Sequence, residues 1–362
     1  MKIMSVLPSM DYGGIERGVY DFSKKAILFG HEIIIVSGPG RFIPPLLEKG
    51  VKWYNIPMDR KTPYVFLKSF YKLSKIIKEE KPDIIHYQSR FPCWIGYFLM
   101  KKFHNIPYVT SINSFSPFPL YSQSEGKGNI VIVVSEVLKK YAIEKLKVPE
   151  NKIRVVYNGI DIDEFFIERR IVNKELWKIG MVGRFSILKG HFYFIEAIEK
   201  LVSIGIENVK GCIYGSGSIG FKKKIENLIK KRNMDDYIEI IEGKNSKEIM
   251  KEIDILVVPS IIPEGFGRVI VEGMVSGIPV IATNIGATPE IIEDNITGFL
   301  VEPRNSFQIS EKIKKIINDI ELYKKISINA QKYAIEKFSL EKMVKGILNV
   351  YEEILKTYRY KI

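Results

Sequence analysis

Short apolar runs alternate with longer amphipathic stretches along nearly the whole chain, and this rhythm starts afresh about halfway. Such an order leads to parallel sheets covered by helices, because a parallel strand pair needs a crossover and a helix supplies it. In the first half, strands are expected at Lys2–Leu7, Glu32–Ser37, Lys52–Ile56, Ile84–His86, Tyr108–Ile112, Ile130–Val134 and Arg154–Tyr157. Helical periods are clearest over Ile15–Phe29, Tyr64–Glu80 and Ser135–Leu146, with Pro82, Pro107 and Pro149 punctuating their ends. The second half repeats the pattern, with strands at Lys178–Val182, Val209–Tyr214, Ile238–Ile241, Asp254–Val258, Pro279–Thr283 and Phe299–Val301 and a helix from about His191 to Ile204. From Ser306 the chain reads as helical, broken near Phe338–Ser339, and polar Asp161–Trp177 is the expected boundary. At 362 residues the chain is long enough for two domains. The expectation is an α/β protein of two Rossmann-like doubly wound domains facing a central cleft, with ligands at the strand C-terminal ends.

The stretch Pro259–Glu290, PSIIPEGFGRVIVEGMVSGIPVIATNIGATPE, carries the most chemistry. Glu264 lies in a glycine-flanked loop, and Glu272 follows within an apolar run. A Gly-X-Gly turn lets backbone N–H groups approach a ligand closely, and a helix opening after it aims a partial positive charge at phosphate. Ionised carboxylates beside such a loop suit sugar hydroxyls, which donate hydrogen bonds. The combination points to a nucleotide-sugar pocket.

Gly13-Gly14 follows the first strand and precedes a helix, as a phosphate-facing turn or simply a tight connection would. It is not the G-x-G-x-x-G of a dinucleotide site, which argues against a nicotinamide oxidoreductase. Gly183-Arg184 and Lys189-Gly190 bracket another strand-end loop, where a planar guanidinium and a point charge would reach one diphosphate. Gly215-Ser216-Gly217 reads as a turn. Among the four histidines, His31 and His104 precede strands as structural residues, and His191 follows the Lys189 loop. His86 ends a strand just before Ser89-Arg90, as a ligand contact or as a satisfied strand-end histidine. Metal-ligand spacing, a P-loop and a Gly-x-Ser-x-Gly elbow are all missing from the sequence.

Charge is uneven. Residues 1–160 carry 24 Lys and Arg against 13 Asp and Glu, whereas residues 161–362 carry 31 against 29. The first half therefore faces something anionic, or simply holds a solvated lysine-rich surface. No nucleic-acid-binding motif accompanies the charge, so an anionic membrane surface or a phosphorylated lipid acceptor fits better than nucleic acid. Two cysteines, Cys93 and Cys212, make a poor disulfide framework and suit a reducing compartment. The start, MKIMSVLPSMDYGG, runs directly from a strand into a glycine turn, and the apolar stretch Phe91–Met100 falls short of the ~20 residues of a membrane span. A cytoplasmic protein is expected, peripheral to the inner membrane face at most.

Taken together, Gly13-Gly14-Ile15-Glu16, Ser135-Glu136, Tyr157-Asn158-Gly159-Ile160-Asp161, Gly183-Arg184 with Lys189-Gly190, and Glu264-Gly-Phe-Gly through Glu272 resemble the retaining glycosyltransferases of family 4. Pro279-Val280-Ile281-Ala282-Thr283 and Thr297-Gly298-Phe299-Leu300 complete the set, and His86 to Trp94 is similar to enzymes that build bacterial surface or lipopolysaccharide glycans. The resemblance implies the GT-B fold, with an acceptor-binding domain over 1–165, a nucleotide-sugar domain over 166–338, and a final helix, 339–362, crossing back to the first domain. It implies that Arg184 and Lys189 grip the diphosphate, that Glu264 meets the sugar, and that Glu272 accepts hydrogen bonds from the ribose. Gly265, Phe266, Gly267, Arg268 and Val269 would line the donor, Gly13 and Gly14 would bring backbone to its phosphate, and His86, Arg90 and Asn113 would touch acceptor or sugar. Asn113 departs from the histidine frequent in the family; it hydrogen-bonds but carries no titratable proton near neutral pH.

The activity implied is retaining transfer from a nucleotide-diphosphate sugar, UDP-sugars favoured, to a glycan or lipid-linked acceptor, with no cofactor and no metal. A sugar-nucleotide hydrolase or epimerase, or a non-enzymatic two-lobed sugar-binding protein, are the other readings of the same residues.

Overall fold

The computed structural model describes residues 1–11, 13–168 and 174–359. The chain forms two compact units, Met1–Gly159 with Leu340–Ile362, and Ile160–Ser339. In the first, β1 (Lys2–Val6), β2 (Glu32–Ser37), β3 (Lys52–Asn55), β4 (Ile84–Gln88), β5 (Tyr108–Ile112), β6 (Ile130–Val133) and β7 (Ile153–Val155) form one sheet in the order β3-β2-β1-β4-β5-β6-β7. In the second, β8 (Trp177–Val182), β9 (Val209–Tyr214), β10 (Ile238–Ile241), β11 (Ile255–Val258), β12 (Val280–Thr283) and β13 (Phe299–Val301) form a sheet in the order β10-β9-β8-β11-β12-β13. All pairings are parallel. Helices cover both faces, so central strands are buried and read as unbroken apolar runs: IVIV in β6, ILVV in β11.

Each sheet changes winding direction once, between β1 and β4 and between β8 and β11. Loops leaving the two central strands there part to opposite faces, which opens a crevice at the carboxyl ends. Gly13-Gly14 follows β1 and Ser89-Arg90 follows β4, while Gly183–Gly190 follows β8 and Pro259–Gly267 follows β11.

The second unit begins at Ile160, ahead of the expected division after 165. Ile160 N–H donates to the Phe338 carbonyl at 2.9 Å, and Phe165 is buried with its carbonyl accepting from Ser276 Oγ at 2.8 Å. The polar run Asp161–Glu164 that suggested a linker is the outer face of a short helix, Ile162–Phe165; residues 169–173 of the expected boundary lie outside those described. The helix Ile320–Lys337 ends where the sequence breaks, and Leu340–Arg359 packs in the first unit with Phe22, Val344, Leu348, Tyr351 and Ile354 in one core. Burying each such aliphatic side chain contributes about 1.5–3 kcal/mol, so this last helix is an integral layer of the first unit. Among the described residues no helix is long and apolar enough to cross a membrane.

Candidate functional site

In the second unit, four strand-end loops are stitched together by backbone contacts. Phe185 N–H donates to Ser216 O at 2.9 Å, Ile261 N–H to Leu188 O at 2.9 Å, and Ala287 N–H to Glu264 O at 3.1 Å. Approaches this close demand glycine. A Cβ on Gly215 would lie 2.0 Å from the Gly183 carbonyl oxygen, and one on Gly190 (φ +77°) 1.8 Å from that of Pro259. Gly286 (φ +62°) leaves the same kind of gap for the Glu264 backbone, at 2.6 Å. The loops after β8, β9, β11 and β12 thus form one rigid rim.

Two of the anticipated residues meet on that rim. Lys189 ends a single 3-10 turn, Ile187–Lys189, whose N-cap Ser186 accepts from Leu188 N–H at 3.2 Å. Its Nζ lies 2.7 Å from Glu264 Oε1, which also accepts from Ser260 Oγ. Both side chains remain about a quarter exposed, at 26% and 25%, so the pair is open to an incoming ligand. Arg184, on the same loop, is exposed and makes no hydrogen bond or ion pair among the described residues.

The turn Gly265-Phe266-Gly267 is buried, with the Phe266 ring 5.7 Å from that of Phe338. Gly267 at φ 138° is the N-cap of the helix Arg268–Val275 and supplies no side-chain cap. Arg268 and Val269 are half-buried at the start of that helix. Glu272, one turn further on, is 8% exposed. A carboxylate that deep needs compensating partners; Ser246 Oγ donates to its Oε2 at 2.5 Å, and Arg268 Nε stands 3.3 Å from Oε1. Ser246 follows the Asn245 capping box after β10 and gave no functional signal in sequence; nor did Ser260, whose carbonyl accepts from Thr283 Oγ1 at 2.7 Å.

His191, just past this loop, is buried, and that burial lowers its pKa to about 4. Its Nδ1 is 3.1 Å from Ser186 O, so it braces the Lys189 turn.

The first unit carries a hollow, partly open to solvent, bordered by Gly14, Gly18, His86, Gln88, Asn113 and Asn158 among others. The helix Gly14–Leu28 starts there. Gly13 (φ +157°) could not accept a Cβ, which would fall 2.0 Å from Glu16 Oε2, whereas Gly14 and Gly18 would present theirs to open space. Two glycines at the start of a helix, unneeded by packing, keep a bare backbone face toward the hollow at a helix cost of about 1 kcal/mol each. His86 stands mid-strand in β4, which runs on to Gln88 rather than ending at His86, and is satisfied there: Nδ1 is 2.7 Å from the Tyr351 hydroxyl and Nε2 is 2.6 Å from Ser111 Oγ. Complete burial lowers its pKa to about 3, so it stays neutral. Asn113 Nδ2 is buried there without a hydrogen-bond partner.

Arg90 is not among the residues around the hollow. Its guanidinium donates to Ser122 Oγ at 2.8 Å and to Ser114 Oγ and Phe115 O at 3.3 Å each, and Nε stands 3.4 Å from Glu125 Oε2. It organises the Ser114–Gly126 loop. Ser89 before it holds φ 72°, a strained turn for a residue with a side chain.

Two doubly wound parallel sheets, one with a rim of cations and carboxylates at its strand ends, define a GT-B fold. The chain belongs to the glycosyltransferases. A family model described as Glycosyl transferases group 1 matches residues 163–333, and one described as Glycosyltransferase Family 4 matches 12–164. The uncharacterized glycosyltransferase MJ1178 of Methanocaldococcus jannaschii is 34% identical over 321 residues, 84% of this chain and 86% of that protein. The capsular polysaccharide biosynthesis glycosyltransferase CapM of Staphylococcus aureus is 29% identical over 378 residues, 94% of each. The crystal structure of Anabaena Alr3699/HepE in complex with UDP shares the fold at a TM-score of 0.85 and 21% identity, over 98% of this chain and 100% of that one.

Proposed function

We propose that this glycosyltransferase moves a sugar from a nucleoside-diphosphate sugar, UDP-linked by preference, to a glycan or lipid-linked acceptor with retention of anomeric configuration. The observation that carries the reading is the Lys189–Glu264 pair on the rim that also bears Arg184. A cation facing the diphosphate and a carboxylate facing the sugar are what a nucleotide sugar needs at neighbouring points. UDP is favoured because a protein of the same fold, HepE, is described in complex with it. A surface polysaccharide or lipopolysaccharide product is favoured by the relation to CapM.

In this mechanism Arg184, Lys189 and the N–H groups at Phe266 and Gly267 stabilise the charge that builds on the leaving diphosphate, and preorganised electrostatics of this kind is commonly the largest catalytic effect. The bond from the anomeric carbon to the diphosphate oxygen breaks, and a bond to the acceptor oxygen forms on the same face. The acceptor proton passes to the departing phosphate oxygen, so neither a protein base nor a metal ion is required. Glu272 holds the ribose hydroxyls. The buried, unpaired Cys93 and Cys212 suit the reducing cytoplasm, and the basic first unit suits an acceptor presented at an anionic membrane surface rather than nucleic acid.

Incubation with UDP-sugars and candidate acceptors, followed by proton NMR of the new glycosidic linkage, tests this. A product with the donor's anomeric configuration is expected. UDP release that does not depend on acceptor would instead identify a hydrolase, and an inverted linkage would remove the retaining mechanism.

A further inference from the structure

We propose that the exposed face of the helices Pro63–Glu80 and Arg90–Met100 docks the protein on an anionic lipid bilayer. The proposal names the surface for the membrane association proposed above and rests on that reading, not on donor binding.

Tyr64, Leu67 and Tyr71 are 70%, 55% and 70% exposed, an unusual outlay of large apolar surface on one helix. Residues 64, 67, 68, 71, 75 and 78 recur at helical spacing, so these side chains share a face with exposed Lys68, Lys75 and Lys78. No acidic residue occurs from Arg60 to Lys78. Phe66 packs edge-on against Phe91 and Phe98, ring centroids 6.1 and 5.9 Å away, which sets the second helix alongside the first. That helix extends the pattern: Phe98 is exposed, and Lys101 Nζ lies 5.0 Å from the Tyr97 ring and 5.5 Å from the Phe98 ring. Lys68 Nζ stands 5.7 Å from the Tyr64 ring in the same way.

The composition decides between partners. Protein–protein interfaces are depleted in lysine, and this face carries an excess of lysine, its acidic residue Glu79 lying 3.7 Å from Lys75. Tyrosine rings seated at headgroup depth, with lysine stems lying on apolar surface and ammonium groups reaching lipid phosphates, are the interfacial pattern of membrane-bound helices. The electrostatic part draws the face to anionic lipid and is screened by salt, while the aromatic part persists.

The test is sedimentation of the full chain with vesicles of phosphatidylcholine alone or with about one-third phosphatidylglycerol, at about 0.05 and 0.5 M NaCl. Binding is expected to the anionic vesicles and to weaken with salt. Lys68→Gln, Lys75→Gln and Lys78→Gln combined are expected to lower it about 100-fold, at about fivefold per lysine. Tyr64→Ser with Tyr71→Ser is expected to remove the binding that survives high salt and to leave the salt dependence in place. Lys223→Gln with Lys224→Gln, exposed lysines of the second unit, is expected to change binding less than twofold. Unaltered thermal midpoints and donor binding in every variant exclude misfolding. Wild-type indifference to anionic vesicles would overturn the membrane reading altogether. Equal losses in both lysine sets, or an unaffected patch variant, would overturn this surface alone. Retention by single-stranded RNA without vesicle binding would assign the face to nucleic acid instead.

Discussion

Replacing Lys189 by alanine separates a residue that works from one that merely holds the loop. Its partner Glu264 lies 2.7 Å away, yet both are about a quarter exposed, so water screens much of their attraction. Pairs of this kind contribute about 0.2–1 kcal/mol to folding. The loop is held independently by backbone bonds at Ile261 and Gly190 and by the Ser186 cap. Lys189→Ala should therefore lower the thermal midpoint by less than about 4 °C. Losing one preorganised donor to a developing charge costs about 2.7–4 kcal/mol of barrier, or 10²–10³ in rate. Initial rates of nucleoside-diphosphate release at saturating acceptor, set beside thermal melts, give both numbers. Lys189→Arg, which keeps the charge, should recover part of the rate. Turnover within tenfold of wild type, or a melting collapse large enough to explain the loss, would refute the assignment.

Gly286→Ala forces a Cβ to within 2.6 Å of the Glu264 backbone at φ +62°; turnover should fall at least tenfold although no donor contact is deleted, as steady-state kinetics on the folded variant would show. Gly14→Ala meets nothing within 4 Å, so its stability in urea should match or exceed wild type by about 0.5–1 kcal/mol, while turnover drops if the bare helix face receives ligand. Tyr351→Phe strips His86 Nδ1 of its partner at 2.7 Å and should cost about 1–3 kcal/mol in urea unfolding. For His86 itself, burial sets the folded pKa at about 3 against 6.5 unfolded. Below pH 6.5 the unfolded chain binds a proton that the folded chain refuses, so this site's contribution to stability is lost as pH falls toward 3, by at most about 1.4 kcal/mol per pH unit. The stability gap between wild type and His86→Gln should shrink from pH 7 to pH 5; a constant gap in urea midpoints would contradict the assignment.

The strands were legible because a parallel sheet covered on both faces leaves runs such as ILVV and IVIV with no polar interruption. The helix Arg90–Met100 escaped the periodic reading: seven of its eleven residues are buried, so FPCWIGYFLM shows no polar stripe to mark a period. The unit boundary was misplaced because Asp161, Asp163 and Glu164 are polar on the outside of a turn whose inner residue, Phe165, is buried. Glycines marked the loops at Gly183–Gly190 and Gly265–Gly267, but Gly215 read only as a turn and Gly286 gave no signal, since the backbone that crowds each of them is distant in sequence. The partners were hidden by distance along the chain: Lys189 and Glu264 are 75 positions apart, and His86 and Tyr351 are 265 apart. Arg90 looked like a ligand contact in sequence, and its ties to Ser122, Ser114 and Phe115, up to 32 positions away, were hidden there.

The central claim is that the rim of the second unit binds a nucleoside-diphosphate sugar through Lys189, Arg184 and Glu272. Titration calorimetry with UDP and UDP-sugars on wild type, Arg184→Ala and Glu272→Ala tests it directly. Saturable one-to-one binding by wild type, weakened at least tenfold in both variants, is the predicted result. Equal affinity in all three proteins would contradict it.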